Sequence, residues 1–495
     1  MAYHQKMTYP TNTISQLVGN LVSTPLPAEL ARLTIRDMAL NSEQLRSGWL
    51  FIALSGERQH GASYWQEAQK AGAAAILIDE EDIGMVADAS LPCIPVKNLN
   101  LNLIDIADRF YGVEDIEWSA VTGTNGKSSV AHLVSQSLSS CGIKTAAIGT
   151  VYQGFYDQGG DNNFLTTPDP ISLRRLQANF CYQGAQHIVA EASSHALVQN
   201  RLSRLKVTTG ILTNITSDHG DYHKSPQEYV AAKRRLFDFP SLKQAVFNLD
   251  DGYGRQWFRE LDTDCLSYSL EDSAADIYAK KIRSSPDGVE ANLMAMGKSV
   301  LFRSSLLGNW QLANALASLA LLLIKKIPLK DAIAALSQVK GLRGRMQNLI
   351  ALNGARFYID YAHSADSLRQ VLDYLKKLCQ GNLWVVFGCG GERDKDKRGV
   401  MGQVASAYAD RIVLTNDNPR FEDPLAIIAA IKKGIKGSKK VQIEMDRSKA
   451  LDLAIEEASA NDFVLVAGKG HENYQEVVGN MLPFNDYDYL TERLC

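Results

Sequence analysis

Short apolar runs ending in polar or glycine-bearing clusters recur along this chain, without strict alternation of apolar and polar positions. In the middle of the sequence they read SAVTGTNGKS, HIVAEASSH, GILTNITSDH and AVFNLDD; after residue 346 they read RFYIDYAH, LWVVFGCGGERD, RIVLTNDNPR and FVLVAGKGHE. A run of this kind suits a strand buried on both faces, and the helical stretches between the runs imply parallel α/β sheets. Ligands of such sheets bind beyond the carboxyl ends of the strands, which is where all eight polar clusters fall. The pattern predicts two α/β domains, residues 98–345 and 346–495, joined at the basic, glycine-bearing segment 339–345. Residues 1–97 form a smaller mixed α/β unit, with strands expected at 49–54 and 74–78 and a helix over 63–70. A length of 495 residues fits three domains of ordinary size.

The segment WSAVTGTNGKSSV, residues 118–130, concentrates the chemistry. An apolar run feeds Gly123-Thr124-Asn125-Gly126-Lys127-Ser128, and a helical pattern continues from Ser129 until Gly142 stops it. A strand, a glycine turn, a lysine and a hydroxyl at a helix start make an anion cradle. Backbone N–H groups face phosphate oxygens, the helix N-terminus favours negative charge, Lys127 adds a cation and Ser128 is placed to hold Mg²⁺. The loop is shorter than a standard P-loop, because Gly123 and not residue 121 supplies the first glycine. A Gly-Lys-Ser triplet alone is a weak signal; the strand-to-helix setting makes phosphate the expected ligand.

Composition narrows the choices. The chain is 45% apolar and 22% charged, an ordinary globular balance, with a net charge of −3. That charge gives no general attraction to nucleic acid or to an anionic membrane, so an anionic ligand must be met by local groups. The seven cysteines are scattered and form no Cys-x-x-Cys, which reads as reduced thiols in a cytoplasm and not as a disulfide frame or a zinc site. The N-terminal MAYHQKMTYPTNT has no apolar signal region, and the apolar run at 315–324 is shorter than the roughly 20 residues that span a bilayer. A soluble, cytoplasmic protein without nucleic-acid partners or membrane insertion is expected, and a monomer.

The ordered set GTNGKS, EASSHALVQNR, TNITSDHGDYH and YVAAKRRLF resembles the Mur ligase superfamily, and DYAH, FGCGGERDKDKR, DNPR and GKGHE narrow the resemblance to its MurE-type branch. It covers nearly the whole chain. It implies three domains: a small UDP-binding N-terminal domain, a central ATP-binding P-loop domain with a mostly parallel sheet, and a C-terminal Rossmann-like domain that binds an amino acid. The implied reaction adds meso-diaminopimelate to the D-glutamate of UDP-N-acetylmuramoyl-L-alanyl-D-glutamate through an acyl phosphate, with ATP and Mg²⁺, in peptidoglycan precursor synthesis. Such a reaction requires a carboxylate oxygen to become a leaving group, and the protein's task is to neutralise and align anions.

On this resemblance Gly123, Thr124, Asn125, Gly126, Lys127, Ser128 and Ser129 hold the phosphates, with Ser128 on one Mg²⁺. Glu191 and His219 match ligands of a second Mg²⁺. Lys233, in Tyr229-x-x-x-Lys233-x-x-Leu236-Phe237, matches a lysine that carries CO₂ as a carbamate and so becomes an acidic metal ligand. Lys127, Glu191, His219 and Lys233 are the expected catalytic set. Asn314 matches a group near adenine, and Arg345 and Asp360 match groups at the phosphates and ribose. Gln311 and Gln347 depart from the usual asparagine and glutamate. Leu40, Ser42, Glu57, Arg58 and Gln59 fall near uridine diphosphate; Thr166, Thr167, Ser193, Gln199 and Arg201 face the diphosphate and muramoyl peptide. Leu165 replaces an asparagine before the two threonines.

The amino acid is expected at Asp417-Asn418-Pro419-Arg420, with Arg393, the backbone at Gly468, and Glu472. An arginine fork grips a carboxylate and repels an ammonium, so Arg420 favours diaminopimelate over lysine. GCGG at 388–391 lacks dinucleotide spacing and reads as a loop allowing close approach to the amino acid. Competing readings are a lysine-adding or folylpolyglutamate-like ligase, a P-loop regulatory ATPase, and a binding-only relative. The tetrad speaks against the first, the segment from Thr166 to Arg201 against the second. The third leaves Arg393, Arg420 and Glu472 unemployed, and intact Lys127, Glu191, His219 and Lys233 speak against the last.

Overall fold

The computed structural model describes residues 12–56, 59–156, 165–216, 222–223, 225–437 and 440–494. Glu57, Arg58 and His219 lie outside them. The chain forms two compact units: Met1–Thr122 with Gly142–Gly210 and Ala232–Lys243, and Gly123–Cys141 with Ile211–Ala231 and Gln244–Cys495.

In the first unit, strands Met38–Ala39, Leu50–Ala53, Ala75–Asp79 and Cys93–Val96 lie parallel in that order. Leu50, Ile52, Leu77, Ile94 and Val96 pack with helix Leu99–Tyr111 on one face, while Phe51, Ala53, Ile76 and Ile78 pack with Ala62 and Ala68 on the other. Both faces are covered, so these strands read as unbroken apolar runs. The expected strands and helix are present, the helix as Trp65–Lys70 behind a 3-10 turn at Gly61–Tyr64. The same unit holds Gln153–Phe155, Thr145–Ile148, His187–Glu191 and Glu117–Thr122 as neighbours in that order, then Val207–Leu212, which the two units divide. His187–Glu191 is parallel to both its neighbours. Helix Pro170–Tyr182 starts where Asp169 accepts from the Ile171 and Ser172 N–H groups, with proline in the first turn, where its missing N–H costs nothing.

In the second unit, strands Gln244–Asn248, Asp264–Ser269 and Ile277–Ser285 are parallel, and Gly288–Ala295 and Lys298–Ser304 extend them antiparallel. The antiparallel extension has no counterpart in the expected pattern because its strands alternate: Val289, Ala291, Leu293 and Ala295 are buried and the residues between them are not. The signal that marks it is in its turns. Met296 and Gly297 both take positive φ, 52° and 71°, as a two-residue primed hairpin turn requires. Helix Asn309–Ile324 is buried along most of its length and packs on helix Lys127–Ser140.

The C-terminal sheet of this unit runs Gln347–Ile350, Arg356–Asp360, Phe463–Ala467, Leu383–Phe387, Arg411–Leu414, Lys440–Ile443; only the first strand is antiparallel. Helices Ala365–Leu378, Asp396–Tyr408 and Pro424–Gly434 cover one face, Arg447–Glu457 and Asp486–Leu494 the other. All eight apolar runs are strands, and the α/β reading of the sequence holds. Among the described residues no helix is long and apolar enough to cross a membrane.

Candidate active site

The glycine loop joins strand Glu117–Thr122 to helix Lys127–Ser140. Its glycines are obligatory. A Cβ on Gly123, at φ 150°, would stand 1.8 Å from Thr213 Oγ1, and one on Gly126, at φ 89°, 2.5 Å from Asn314 Oδ1. Thr213 and Asn214 fasten the loop: Thr213 Oγ1 and Asn214 Nδ2 donate to the Asn125 carbonyl at 2.6 and 3.1 Å, and the Asn125 N–H donates to Asn214 Oδ1 at 3.0 Å. Thr124 Oγ1 meets Tyr229 Oη at 3.0 Å and accepts the Thr216 N–H at 3.0 Å. The helix is capped by Gly126, which has no side chain to offer its leading N–H groups, and Lys127 Nζ donates to the Gly123 and Thr124 carbonyls, both at 2.9 Å. A loop that gathers donors and a cation around main-chain curvature suits an anion such as phosphate.

Asn314 belongs to this loop. Its Nδ2 donates to Gln311 Oε1 at 3.0 Å, both side chains being buried, which leaves Oδ1 directed at Gly126. Gln311 thus supplies the acceptor that orients Asn314. Gln347 also has work: its Oε1 accepts the Gly344 N–H at 3.0 Å inside the turn that carries Arg345.

In the first unit Glu191 ends its strand 1% exposed. The Thr150 N–H donates to Glu191 Oε1 at 2.8 Å, and the close approach leaves no room for a Cβ on Gly149, which would lie 2.1 Å away. From there a polar chain continues. Thr150 Oγ1 donates to Thr166 Oγ1 at 3.0 Å, Thr167 Oγ1 to the Glu191 carbonyl at 2.6 Å, and the Ser193 N–H to Thr167 Oγ1 at 3.1 Å. Arg201 Nη1 donates to the Thr167 carbonyl at 2.6 Å, while its Nε and Nη2 grip Gln199 Oε1 at 2.9 and 2.6 Å. The expected Thr166, Thr167, Glu191, Ser193, Gln199 and Arg201 are therefore one network, with Thr150 a member the sequence did not reveal. Lys233 is 1% exposed in the same unit. Leu40, Ser42 and Gln59 lie around the N-terminal sheet: Ser42 opens a 3-10 turn capped by Asn41, and Gln59 Oε1 accepts from Tyr64 Oη at 2.9 Å.

The second unit also carries the tetrad. Its parallel strands aim DYAH, GCGGERD, DNPR and GKGHE at one edge. Glycines in GCGG serve loop-on-loop packing: a Cβ on Gly388 would sit 2.2 Å from the Thr415 carbonyl oxygen and one on Gly391 2.0 Å from that of Pro419. Gly390 of the same loop lies against Arg420, where a Cβ would stand 3.1 Å from Nη1. Arg398, almost fully buried, grips Glu422 at 2.7 and 2.8 Å and holds its carboxyl down to about 2, while the Glu392 N–H donates to the same acid at 3.2 Å. Arg393 is exposed on this loop.

Around the tetrad the charges are paired. Asn418 Nδ2 donates to Glu472 Oε2 at 2.8 Å, and the fully buried Lys469 donates to Glu472 Oε2 at 2.9 Å and to Asn418 Oδ1 at 3.1 Å. Burial raises the Glu472 carboxyl and Lys469 opposes the shift. Glu472 thus reaches the tetrad as expected, already partnered by a lysine absent from the expected set. Gly468, at φ 108°, passes so close to Asp417 that a Cβ would meet its Oδ2 at 2.4 Å. Arg420 Nε donates to Glu476 Oε2 at 2.9 Å and Nη1 to the Gly391 carbonyl at 2.7 Å. Beneath them Arg447 and Asp486, each 0% exposed, pair at 2.7 and 2.8 Å, and Arg447 also donates to the Asn416 and Ala467 carbonyls at 3.2 and 3.1 Å.

Arg345 lies over the Tyr361 ring at 4.6 Å, and the Met346 N–H donates to Asp360 Oδ2 at 2.8 Å. Burial pushes the Asp360 carboxyl up to about 6 against the pull of Arg345, and burial drives the neighbouring His471 imidazole down to about 3.

The family description "Mur ligase family, catalytic domain" matches residues 34–111, "Mur ligase middle domain" residues 121–322, and "Mur ligase, glutamate ligase domain" residues 344–470. A UDP-N-acetylmuramoyl-L-alanyl-D-glutamate--2,6-diaminopimelate ligase of Pseudomonas aeruginosa is 40% identical over 94% of this chain and 96% of its own length. One of the same name from Coxiella burnetii is 37% identical over 96% of this chain and 100% of its own. A solved structure of a ligase of that name is 32% identical, with a TM-score of 0.65 over 98% of this chain and 99% of that one. MurF ligase from Thermotoga maritima in complex with ADP, at 19% identity, shares the fold with a TM-score of 0.65 over 87% of this chain and 93% of its own. With three domain descriptions matched in order and relatives aligned almost end to end, the chain belongs to the Mur ligase family.

Proposed function

We propose that the chain is an ATP-dependent ligase that adds meso-diaminopimelate to the D-glutamate of UDP-N-acetylmuramoyl-L-alanyl-D-glutamate, in cytoplasmic peptidoglycan precursor synthesis. The observation that carries this reading is the pairing, within one compact unit, of a glycine-lysine phosphate loop with an arginine-bearing tetrad at the strand ends of a parallel sheet. The γ-phosphoryl group of ATP passes to a carboxylate oxygen of the glutamyl group, giving ADP and an acyl phosphate. The amine of diaminopimelate attacks the acyl carbon, the C–O bond to phosphate breaks, and the amine loses a proton as the amide forms. Lys127 and the loop N–H groups neutralise the moving phosphoryl charge, and Arg345 adds to it when the domains close. Asn314 and Asp360 hold the nucleoside. Leu40, Ser42, Glu57, Arg58 and Gln59 bind the uridine diphosphate, and the network from Thr166 to Arg201 holds the muramoyl peptide. Arg420, Arg393, Asp417, Asn418, Gly468 and Glu472 take the amino acid.

The oxygen donors suit Mg²⁺: the Ser128 hydroxyl and the Glu191 carboxylate are hard ligands, joined in this reading by His219 and by Lys233 as a carbamate. As a carbamate, Lys233 would add an anionic oxygen to this set. Bound Mg²⁺ would neutralise phosphate charge. The three domains are taken as residues 1–97, 98–345 and 346–495, in a monomer without membrane insertion. The test is phosphate release with the UDP-muramoyl dipeptide and a panel of diaminopimelate, lysine and ornithine. Release that needs both the nucleotide substrate and diaminopimelate is expected; release that needs neither would mark a regulatory ATPase. For Lys233, activity lost in Lys233→Ala and partly restored by short carboxylic acids is expected, and an active variant without additive would end the carbamate role.

A further inference from the structure

Hairpin Tyr474–Val477 and Asn480–Pro483 lies outside every motif of the sequence analysis, yet it is what holds Arg420. The Arg420 N–H donates to the Glu476 carbonyl at 3.0 Å, and the Val478 N–H to the Arg420 carbonyl at 2.9 Å. The Glu476 N–H donates to Asn418 Oδ1 at 3.0 Å. Arg420 sits at φ 53°, a conformation that a residue with a Cβ adopts only under constraint, and these bonds are the constraint.

The side chain is held as firmly. Nε is bound to Glu476 Oε2 and Nη1 to the Gly391 carbonyl, with Arg420 and Glu476 only 19% and 20% exposed. A guanidinium is a rigid plane, so fixing two of its nitrogens fixes the direction of the third. Among the described residues Nη2 donates to no protein group, which leaves it as the nitrogen presented to a ligand. A Cβ on Gly390 would lie 3.1 Å from Nη1, so the loop opposite closes the other way for the fork to turn.

We propose that Glu476 is a positioning residue: it locks the Arg420 fork toward the side-chain carboxylate of the incoming diamino dicarboxylic acid and thereby sets its selection over a diamino monocarboxylic acid. This rests on the reading of Arg420 given under the proposed function. Glu476 touches no reacting atom in this role. Its loss frees the Nε corner, and the fork then spends its time in orientations that do not match a carboxylate.

The test is steady-state phosphate release by the full chain, with ATP, UDP-muramoyl dipeptide and diaminopimelate each varied for wild type, Glu476→Ala and Glu476→Gln. Glu476→Ala is expected to raise KM for diaminopimelate about tenfold or more, the loss that removing one charge-assisted hydrogen bond predicts. It should leave kcat and the other two KM values within about twofold of wild type. Glu476→Gln, whose amide oxygen accepts the same Nε–H, is expected to recover most of that KM. An unmoved diaminopimelate KM in Glu476→Ala, a loss shared equally by all three substrates, or a Gln variant no better than Ala would each overturn the positioning role. A wild-type protein that released phosphate with lysine and not with diaminopimelate would instead overturn the substrate reading, and this inference with it.

Discussion

The glycine loop at 123–128 and the tetrad at 417–420 both follow strands of parallel sheets, yet they are built by opposite means. The loop is shaped by main chain: its curvature comes from glycines at φ 150° and 89°, and its helpers Thr213 and Asn214 belong to another of the apolar-to-polar runs. The tetrad is shaped by side chains, their direction set by other side chains, Lys469, Glu472 and Glu476. Main-chain sites leave a residue-type signature, because only glycine fits. Side-chain networks leave none, because any acid within reach can partner an arginine.

The sharpest break between the two regions is expected from Lys127→Ala. On the proposed function, removing this cation should lower kcat by about a thousandfold with the melting temperature nearly unchanged, as losses of single charge-stabilising groups do. Arg420→Ala should cost about a hundredfold or more in kcat/KM for diaminopimelate with KM for ATP unmoved, both read by phosphate release. Similar losses in both KM values would merge the two regions into one functional unit. The glycines sharpen the contrast further. Gly123→Ala, with a Cβ 1.8 Å from Thr213 Oγ1 and backbone of Asn214 at 3.1 Å, should both destabilise the fold and abolish nucleotide binding. Gly468→Ala meets only the tip of Asp417 at 2.4 Å, which can swing aside, although the φ of 108° strains any residue with a Cβ and should also lower the melting temperature. It should mainly raise KM for the amino acid.

A smaller effect separates two neighbours by pH. His471 stays neutral down to about 3, whereas an unfolded chain protonates near 6.5, so acidification below that value costs stability through His471. Asp360 works in the other direction: its folded value of about 6 exceeds the unfolded one of roughly 3.9, so the folded state gains its proton first and acidification through that window favours folding. At pH 5 the histidine term is about 2 kcal/mol and the aspartate term about 1.4 kcal/mol. Melting at pH 7 and 5 should show a shallower acid loss for His471→Gln and a steeper one for Asp360→Asn. The mildest change is Gln311→Asn: loss of the bond that orients Asn314 should shift KM for ATP about twofold.

Most strands whose two faces are covered were legible, because burial on both sides erases alternation and leaves a plain apolar run; Thr145–Ile148, buried throughout, was not among those read. The antiparallel strands Gly288–Ala295 and Lys298–Ser304 escaped, since half their residues face water, and only the Met296-Gly297 turn advertises them. Within the site, Thr166, Thr167, Glu191, Ser193, Gln199 and Arg201 came from motif resemblance and the structure joins them. Thr150, Lys469 and Glu476 did not: Thr150 and Glu476 sit in unremarkable stretches, Lys469 lies inside GKGHE without an assigned role, and each has a partner distant in sequence. The departures at Gln311 and Gln347 have local explanations that no spacing rule contains, a bond to Asn314 and one to the Gly344 N–H.

The buried contact between Arg447 and Asp486 gives the last helix a reach beyond its own surface. Deleting or displacing the segment that carries Asp486 would strand a guanidinium in the interior without its counter-ion, at a cost of about 3–5 kcal/mol. The two carbonyls that Arg447 ties together, those of Asn416 and Ala467, stand directly ahead of the tetrad and of Gly468. Trimming the tail, or hanging a bulky fusion on it, would therefore be felt as poorer discrimination among amino acids well before the fold itself gave way.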